Sequence, residues 1–221
     1  MKRPLLITLT CAGVALGAGV AFGAADTIIG TGANTFNQPS YTADQGEVVQ
    51  LQVTGSIHNA TATQNGPDGK ALFRSGTISS GSTPVNGTQY LATGSYSFIC
   101  TIHPATMQAT LNVSANGTPQ PRPQLSLKLQ SRKLDKVAKK GKLQIAVTSS
   151  ASSGDASFKA KLGKRTLASA SGVSVTAGRN TEVLKLGKRA RAKLAKREKA
   201  TISLSGTVPF GTPATAKGKL K

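Results

Sequence analysis

Four side chains in this sequence could do metal chemistry, and their spacing is unusual. The stretch CTIHPATM holds Cys100, His103 and Met107, and SIHNATA holds His58. The whole chain has only two Cys, two His and two Met. A thiolate and two imidazoles in a plane, with a weak axial thioether, form the donor set of a one-electron copper site. Thiolate and thioether suit Cu(I), imidazole suits both oxidation states, and a compromise geometry lets an electron pass with little movement. Other readings compete. A lone His is usually a core or surface residue, and a free Cys or a Met is usually buried filler. Zn2+ could use the three N and S donors, leaving Met107 idle.

The start of the chain sharpens the count. MKRPLLITLTCAGVALGAGVAFGAAD has a basic head, an apolar run and small residues before Asp26. That is the order of a secretory signal peptide spanning residues 1–25, with cleavage near Ala25. An uncleaved N-terminal membrane anchor is the alternative. Cys11 lies inside the run and reads as filler. Cleavage removes Met1 and Cys11, so the exported chain keeps one Cys, one Met and two His, all at the four places named. An exported chain with a single Cys forms no internal disulfide, which leaves burial, an intermolecular link, a reactive thiol or metal binding. Localisation would be periplasmic, cell-wall associated or extracellular.

The elements that must position the donors read as strands. TIIGTGANTF and EVVQLQVTG are rich in β-branched residues, with Gly, Asn and Asp between the runs. YSFIC and QATLNV read as two short strands flanking the TIHPATM loop, with Tyr96, Phe98 and Cys100 on one face. The loop would deliver Cys100, His103 and Met107, and His58 would arrive from a separate segment, before a polar loop, ATATQNGPDGK. Short strands with frequent turns indicate an all-β sandwich or barrel over residues 26–115.

The charge is unevenly spread. Residues 26–121 carry Lys70 and Arg74 against Asp26, Asp44, Glu47 and Asp68. From Arg122 onward there are 24 Lys and Arg against Asp135, Asp155, Glu182 and Glu198, a net +20. The segment between, residues 116–124, is a Pro-rich linker by composition. Residues 125–221 alternate apolar residues with Lys, Ser or Thr in LSLKLQ, KLQIAVTS, ASFKAKLG, GVSVTAG, TEVLKLG and ATISLSGTV, which predicts a second β-rich domain, with an incompletely ordered tail as the alternative; the region resembles Lys-rich immunoglobulin-like modules. The segment 187–199, GKRARAKLAKREK, predicts a helical turn or two. Such a basic module attracts polyanions: an anionic cell-wall polymer or a membrane surface. Nucleic acid is not expected, given export and few aromatics for stacking bases.

SIHNATA together with YSFICTIHPATMQATLNV resembles the plastocyanin/azurin (cupredoxin) family, and TFNQPSYTADQGEVVQLQV and FRSGTISSGST are similar to its earlier segments. The resemblance covers about residues 26–113 and none of the basic module. It implies a Greek-key cupredoxin β-sandwich holding one copper ion at one end, with His58, Cys100, His103 and Met107 as ligands. It also implies that Asn59 steadies the site through a backbone N–H to the sulfur and side-chain bonds between loops. The gap before Met107 is one residue shorter than in plastocyanin and one longer than in amicyanin, and Gln108 and Ala109 stand where many relatives have Gly. The function implied is one-electron transfer, Cu(II)/Cu(I), between redox partner proteins. His103 would carry the electron through an apolar patch of Ile57, Ile102, Pro104 and Ala105. The alternative is a copper-binding or buffering surface protein with a basic attachment domain. An enzyme is not expected, because a nitrite-reductase type of catalytic copper needs more histidines, and a binuclear copper centre needs a second Cys in the exported chain. A monomer is expected.

Overall fold

The computed structural model describes residues 25–221, so the expected signal peptide or membrane anchor lies almost wholly outside the described residues. Among the described residues no helix is long and apolar enough to cross a membrane.

The first unit contains eight strands: β1 (Ile28–Gly30), β2 (Ser40–Gln45), β3 (Gln50–Val53), β4 (Thr61–Ala62), β5 (Arg74–Ser75), β6 (Gly81–Asn86), β7 (Gly94–Ile99) and β8 (Gln108–Gly117). Their order is β1-β3-β6-β5-β4-β7-β8-β2, with β1–β3 and β2–β8 parallel and the other pairs antiparallel. Alternation explains the burial. Tyr41 and Ala43 point inward from β2, Leu51 and Val53 from β3, and Leu111 and Val113 from β8. The two halves of the sheet close over one core as a β-sandwich. The segment ATATQNGPDGK is less open than its composition suggests, because Thr61 pairs with both Ile99 and Arg74.

Phe98 sits at the centre of that core. Its ring lies 5.0 Å from Phe36, 6.0 Å from Tyr41 and 6.1 Å from Phe73, all tilted or edge-on, the geometry that aromatic quadrupoles favour. Burial pushes the Tyr41 phenol above its ordinary pKa, so it keeps its proton, which it donates to Asn37 Oδ1 at 2.7 Å. Phe98 is two residues before Cys100 on β7, so core packing and placement of the thiol share one strand.

The second unit contains β9 (Leu125–Leu129), helix α1 (Leu134–Lys140), β10 (Lys142–Ser149), β11 (Ser153–Leu162), β12 (Arg165–Val175), β13 (Gly178–Lys185), helix α2 (Lys188–Ala195), β14 (Ala200–Thr207) and β15 (Ala214–Leu220). Sheets ordered β13-β10-β9 and β12-β11-β14-β15 enclose a core that includes Phe158, Leu143, Ile145, Leu184 and Ile202. Three strands facing four is an immunoglobulin-like partition, so the basic module has a core of its own. Helix α2 falls inside the segment where helical turns were expected. Helix α1 was not anticipated. It buries Leu134, Val137 and Ala138 and ends at Gly141, which is left-handed at φ 66°.

The linker is strapped to both units. Strand β8 continues through Gly117, two residues into the linker expected from composition. Gln120 N–H donates to Gln89 O at 2.8 Å, and Gln124 N–H donates to Ser150 Oγ at 2.9 Å. The turn between β14 and β15 then docks against the first unit. Phe210 N–H donates to Asp68 Oδ2 at 2.9 Å, and the Arg74 guanidinium lies 4.3 Å from the Phe210 ring centre. Arg122 donates to the carbonyls of both Phe210 and Tyr90. Gly87, at φ 106°, makes room: a Cβ there would meet Phe210 Cδ1 at 2.8 Å.

Replacing Phe98 with Ala should cost about 3–5 kcal/mol, the usual range for emptying a large aromatic from a core. Urea unfolding of the full chain measures it, and a loss below about 1 kcal/mol would contradict the central place given to this ring.

Candidate metal centre

Cys100 directly follows β7, with its side chain fully buried. The loop after it closes on itself. Cys100 N–H donates to Met107 O at 3.0 Å, His103 N–H to Cys100 O at 3.2 Å, and Met107 N–H to His103 O at 2.9 Å. Gln108 Nε2 donates to Pro104 O at 2.8 Å, so the residue that departs from the family's pattern braces the loop. Met107 is fully buried and His103 is half-buried.

His58 comes from the other side of the site. Its backbone exchanges two hydrogen bonds with Ile78, at 2.9 and 3.0 Å. Its Nε2 lies 2.9 Å from Thr31 O. A carbonyl oxygen can only accept, so Nε2 carries the hydrogen and Nδ1 of the neutral ring is left with a lone pair. That lone pair faces Cys100: Sγ is 3.9 Å from His58 Nδ1 and 3.8 Å from His103 Nδ1. The donor atoms of His58, Cys100 and His103 all lie within 4.8 Å of one another. The two rings meet edge-on, with centroids 5.1 Å apart and planes at 67°.

These separations test whether an ion fits. Metal–thiolate bonds of about 2.3 Å and metal–imidazole bonds of about 2.0–2.1 Å, set at about 120° in a plane, put sulfur and nitrogen about 3.8 Å apart. At the tetrahedral angle the same bonds give about 3.55 Å. The observed 3.8 and 3.9 Å are of the size that one shared ion requires. The residues present therefore fit one first-row ion shared by His58, Cys100 and His103.

Several solved structures match part of the chain. Auracyanin A, a "blue" copper protein from the green thermophilic photosynthetic bacterium Chloroflexus aurantiacus, is 20% identical over 40% of this chain and 98% of its own, with a TM-score of 0.33. A reduced amicyanin variant is 19% identical over 40% of this chain and 82% of its own, with a TM-score of 0.33. A purple cupredoxin from Nitrosopumilus maritimus is 22% identical over 40% of this chain and all of its own, with a TM-score of 0.32. No family model matches the chain, and no curated protein matches it.

Asn59, next to His58, is the joint between the two halves of the site. Its Oδ1 accepts from Thr101 N–H at 2.9 Å and from the Thr61 hydroxyl at 3.2 Å. Its Nδ2 donates to Thr101 Oγ1 at 2.8 Å and to Thr77 Oγ1 at 3.2 Å. The residue after one donor is thus tied to the residue after another.

One part of the site was not anticipated from sequence. The turn after β1 forms its third wall. Besides Thr31, Asn34 accepts from Thr106 at its carbonyl (3.0 Å) and from the Ser56 hydroxyl at Oδ1 (3.1 Å). Asn34 has φ 55°, a conformation Asn tolerates better than most residues. The Gly- and Asn-rich composition of GTGANTF signalled a turn, but nothing local linked it to residues over 20 positions away. Gly30 in the same region lies against the His58 ring: a Cβ there would come within 2.9 Å of His58 Cδ2.

Two substitutions should separate positioning from ligation. Asn59→Ala removes the joint and leaves the Thr101 amide without its partner. It should weaken metal binding about 10–100-fold while Cys100 and both histidines remain, as read by competition with a chelator. Gly30→Ala pushes on the His58 ring and should weaken the same binding with little change in overall unfolding. Unaltered affinity in both variants would contradict the positioning described.

Proposed function

We propose that this chain is a mononuclear copper protein of the cupredoxin kind, acting as a one-electron carrier. The observation that carries the reading is the convergence of His58 Nδ1 and His103 Nδ1 on Cys100 Sγ at 3.9 and 3.8 Å, with Met107 buried across the same loop. In this reading His58, Cys100, His103 and Met107 would hold the ion. Copper bound there would supply reversible exchange between Cu(II) and Cu(I).

The chain's own residues do the rest. Thr31 and Asn59 hold the donors in place before any metal arrives, so little reorganises when charge changes. Burial of Cys100, His58 and Met107 excludes water from the donors. His103 alone among the four is partly open. Ile57, next to His58 in the chain, and Ile102, next to His103, are 48% and 41% exposed, and Pro104 and Ala105 are also exposed. These apolar side chains give a redox partner protein a desolvated surface, with the His103 ring edge as the route for the electron. A pure copper buffer would have no use for such a patch. The residues present suit a carrier rather than an enzyme, since both histidines are taken by the one ion.

Export, by the expected signal peptide, agrees with a single unpaired Cys kept for a metal. In this reading the basic module attaches the carrier to an anionic surface outside the cell.

Titration with Cu(II) should give an intense visible absorption that saturates at one ion per chain, and Cys100→Ser should abolish it. Colourless binding, or colour that survives the loss of Cys100, would overturn the proposal.

A further inference from the structure

We propose that the C-terminal unit carries a groove for a linear polyanion that has phosphate on each repeat and no bases, at the pole of the molecule opposite the metal centre. This deepens the attachment role above, and it rests on the charge of the module rather than on the metal reading.

The groove is built from three elements. Strand β15 is an edge strand of its sheet. It turns Ala216, Gly218 and Leu220 inward, leaving Lys217, Lys219 and, just after the strand, Lys221 exposed. Helix α1 adds Lys136 and Lys140, one turn apart, and Lys142 opens β10 beside them. Between strand and helix run Arg132 and Lys133. They line two adjoining depressions of about 860 and 470 Å³, the first also lined by the β15 lysines and the second by Lys136, Lys140 and Lys142. The seam is rigid: Leu134 N–H donates to Lys221 O at 2.8 Å and Lys221 N–H to Arg132 O at 2.9 Å.

The electrostatics are one-sided. Asp135 is the one acidic side chain lining either depression. The ion pairs among the described residues are Lys70–Asp155 and Arg74–Asp68, so none of the groove's cations is neutralised by one. Lysines along an edge strand guard it against pairing with another sheet, but that accounts for β15 alone. It gives no reason for the cations of α1 and of the loop before it to face the same space.

The arrangement selects a class of partner. Alternate residues of a strand recur about every 6.7 Å, so β15 offers point charges at a regular interval. Lysine binds phosphate as a point charge without demanding a planar partner. A linear polymer with an anion on every repeat meets both features. A lipid bilayer fits less well. The surface is concave, and the two aromatic residues of the module are spent elsewhere, Phe158 in the core and Phe210 against the first unit. Interfacial anchors of the Trp or Tyr kind are therefore missing from it, as are platforms for stacking bases.

The groove also lies where an anchor should. Strand β8 leads from Gln108, beside the metal loop, to Gly117 and the linker. The Phe210 turn docks at that junction, and β15 runs from it to Lys221 at the far end of the second unit. A polymer held there leaves His103 and its apolar surround facing away.

The test is binding of the full chain to long-chain inorganic polyphosphate across a salt titration. Phosphatidylglycerol vesicles and a single-stranded oligonucleotide serve as comparison ligands. Lys217→Ala/Lys219→Ala/Lys221→Ala should weaken polyphosphate binding about tenfold or more and flatten its salt dependence. Lys128→Ala/Lys159→Ala/Arg179→Ala, which removes equal charge outside the two depressions, should cost less than about threefold. Equal losses in the two triples would overturn the groove and leave attachment by net charge standing. Absence of salt-sensitive binding by the unaltered chain would overturn both. Tighter, groove-dependent binding to the vesicles or the oligonucleotide would overturn the class of partner.

Discussion

A single hydrogen bond decides what the site can hold. The Thr31 carbonyl takes the Nε2 hydrogen of His58, and so determines which nitrogen meets Cys100. Without it the ring could present N–H to the sulfur, and Nδ1 would have no lone pair to offer an ion. The bond needs β1 to pass close to the ring, which Gly30 permits. It also needs His58 held from behind, which the paired bonds to Ile78 provide. The sandwich thus supplies a rigid frame in which one donor is oriented by the turn after β1, three arrive on the loop after β7, and Asn59 joins the two sides. Preorganisation of this kind lowers the cost of changing charge at the centre, because the protein groups are already where both charge states need them.

The candidate donors stood out in the sequence because the residue types are rare in this chain and each has few other uses. Their mutual placement was partly legible: the short loop brings Cys100, His103 and Met107 together whatever the rest of the fold does. His58 was expected there from its rarity and from the resemblance, and the structure brings it to Cys100 from 42 residues away. What could not be read is long-range. The wall formed by Thr31 and Asn34 depends on side-chain to backbone bonds between distant turns, which leave no periodic trace. The dock of Phe210 onto Asp68 spans 142 positions and is likewise silent in a single sequence.

In the basic half, strands with Leu, Ile and Val alternation were plain. Strand β15 was not, because its inward face is Ala216, Gly218 and Leu220, a weak apolar signal interrupted by Gly. Much of β12 escaped for a similar reason: RTLASAS buries Leu167 and Ala168 among small polar residues. Helix α1 had readable signs in retrospect. Leu134, Val137 and Ala138 fall at helical spacing, Asp135 lies in the first turn, Lys139 and Lys140 in the last, and Gly141 follows. Charge complementarity with the helix ends and a left-handed Gly cap outweigh the short length. Arg191 of α2 completes the helix by donating to the carbonyls of Ala138 and Lys139.

The two units divide the physical work. The first has few charges and presents an uncharged, apolar surround at its half-buried histidine. The second carries the whole positive excess. Contacts of the metal end should therefore be made by shape and desolvation, and long-range attraction by the other end. The central claim is that the donor set passes one electron reversibly with little rearrangement. Voltammetry of the copper-loaded full chain tests it most directly. The account predicts a single reversible one-electron wave whose peak separation stays small as the scan rate rises. The absence of a wave, or a separation that widens steeply with scan rate, would contradict it.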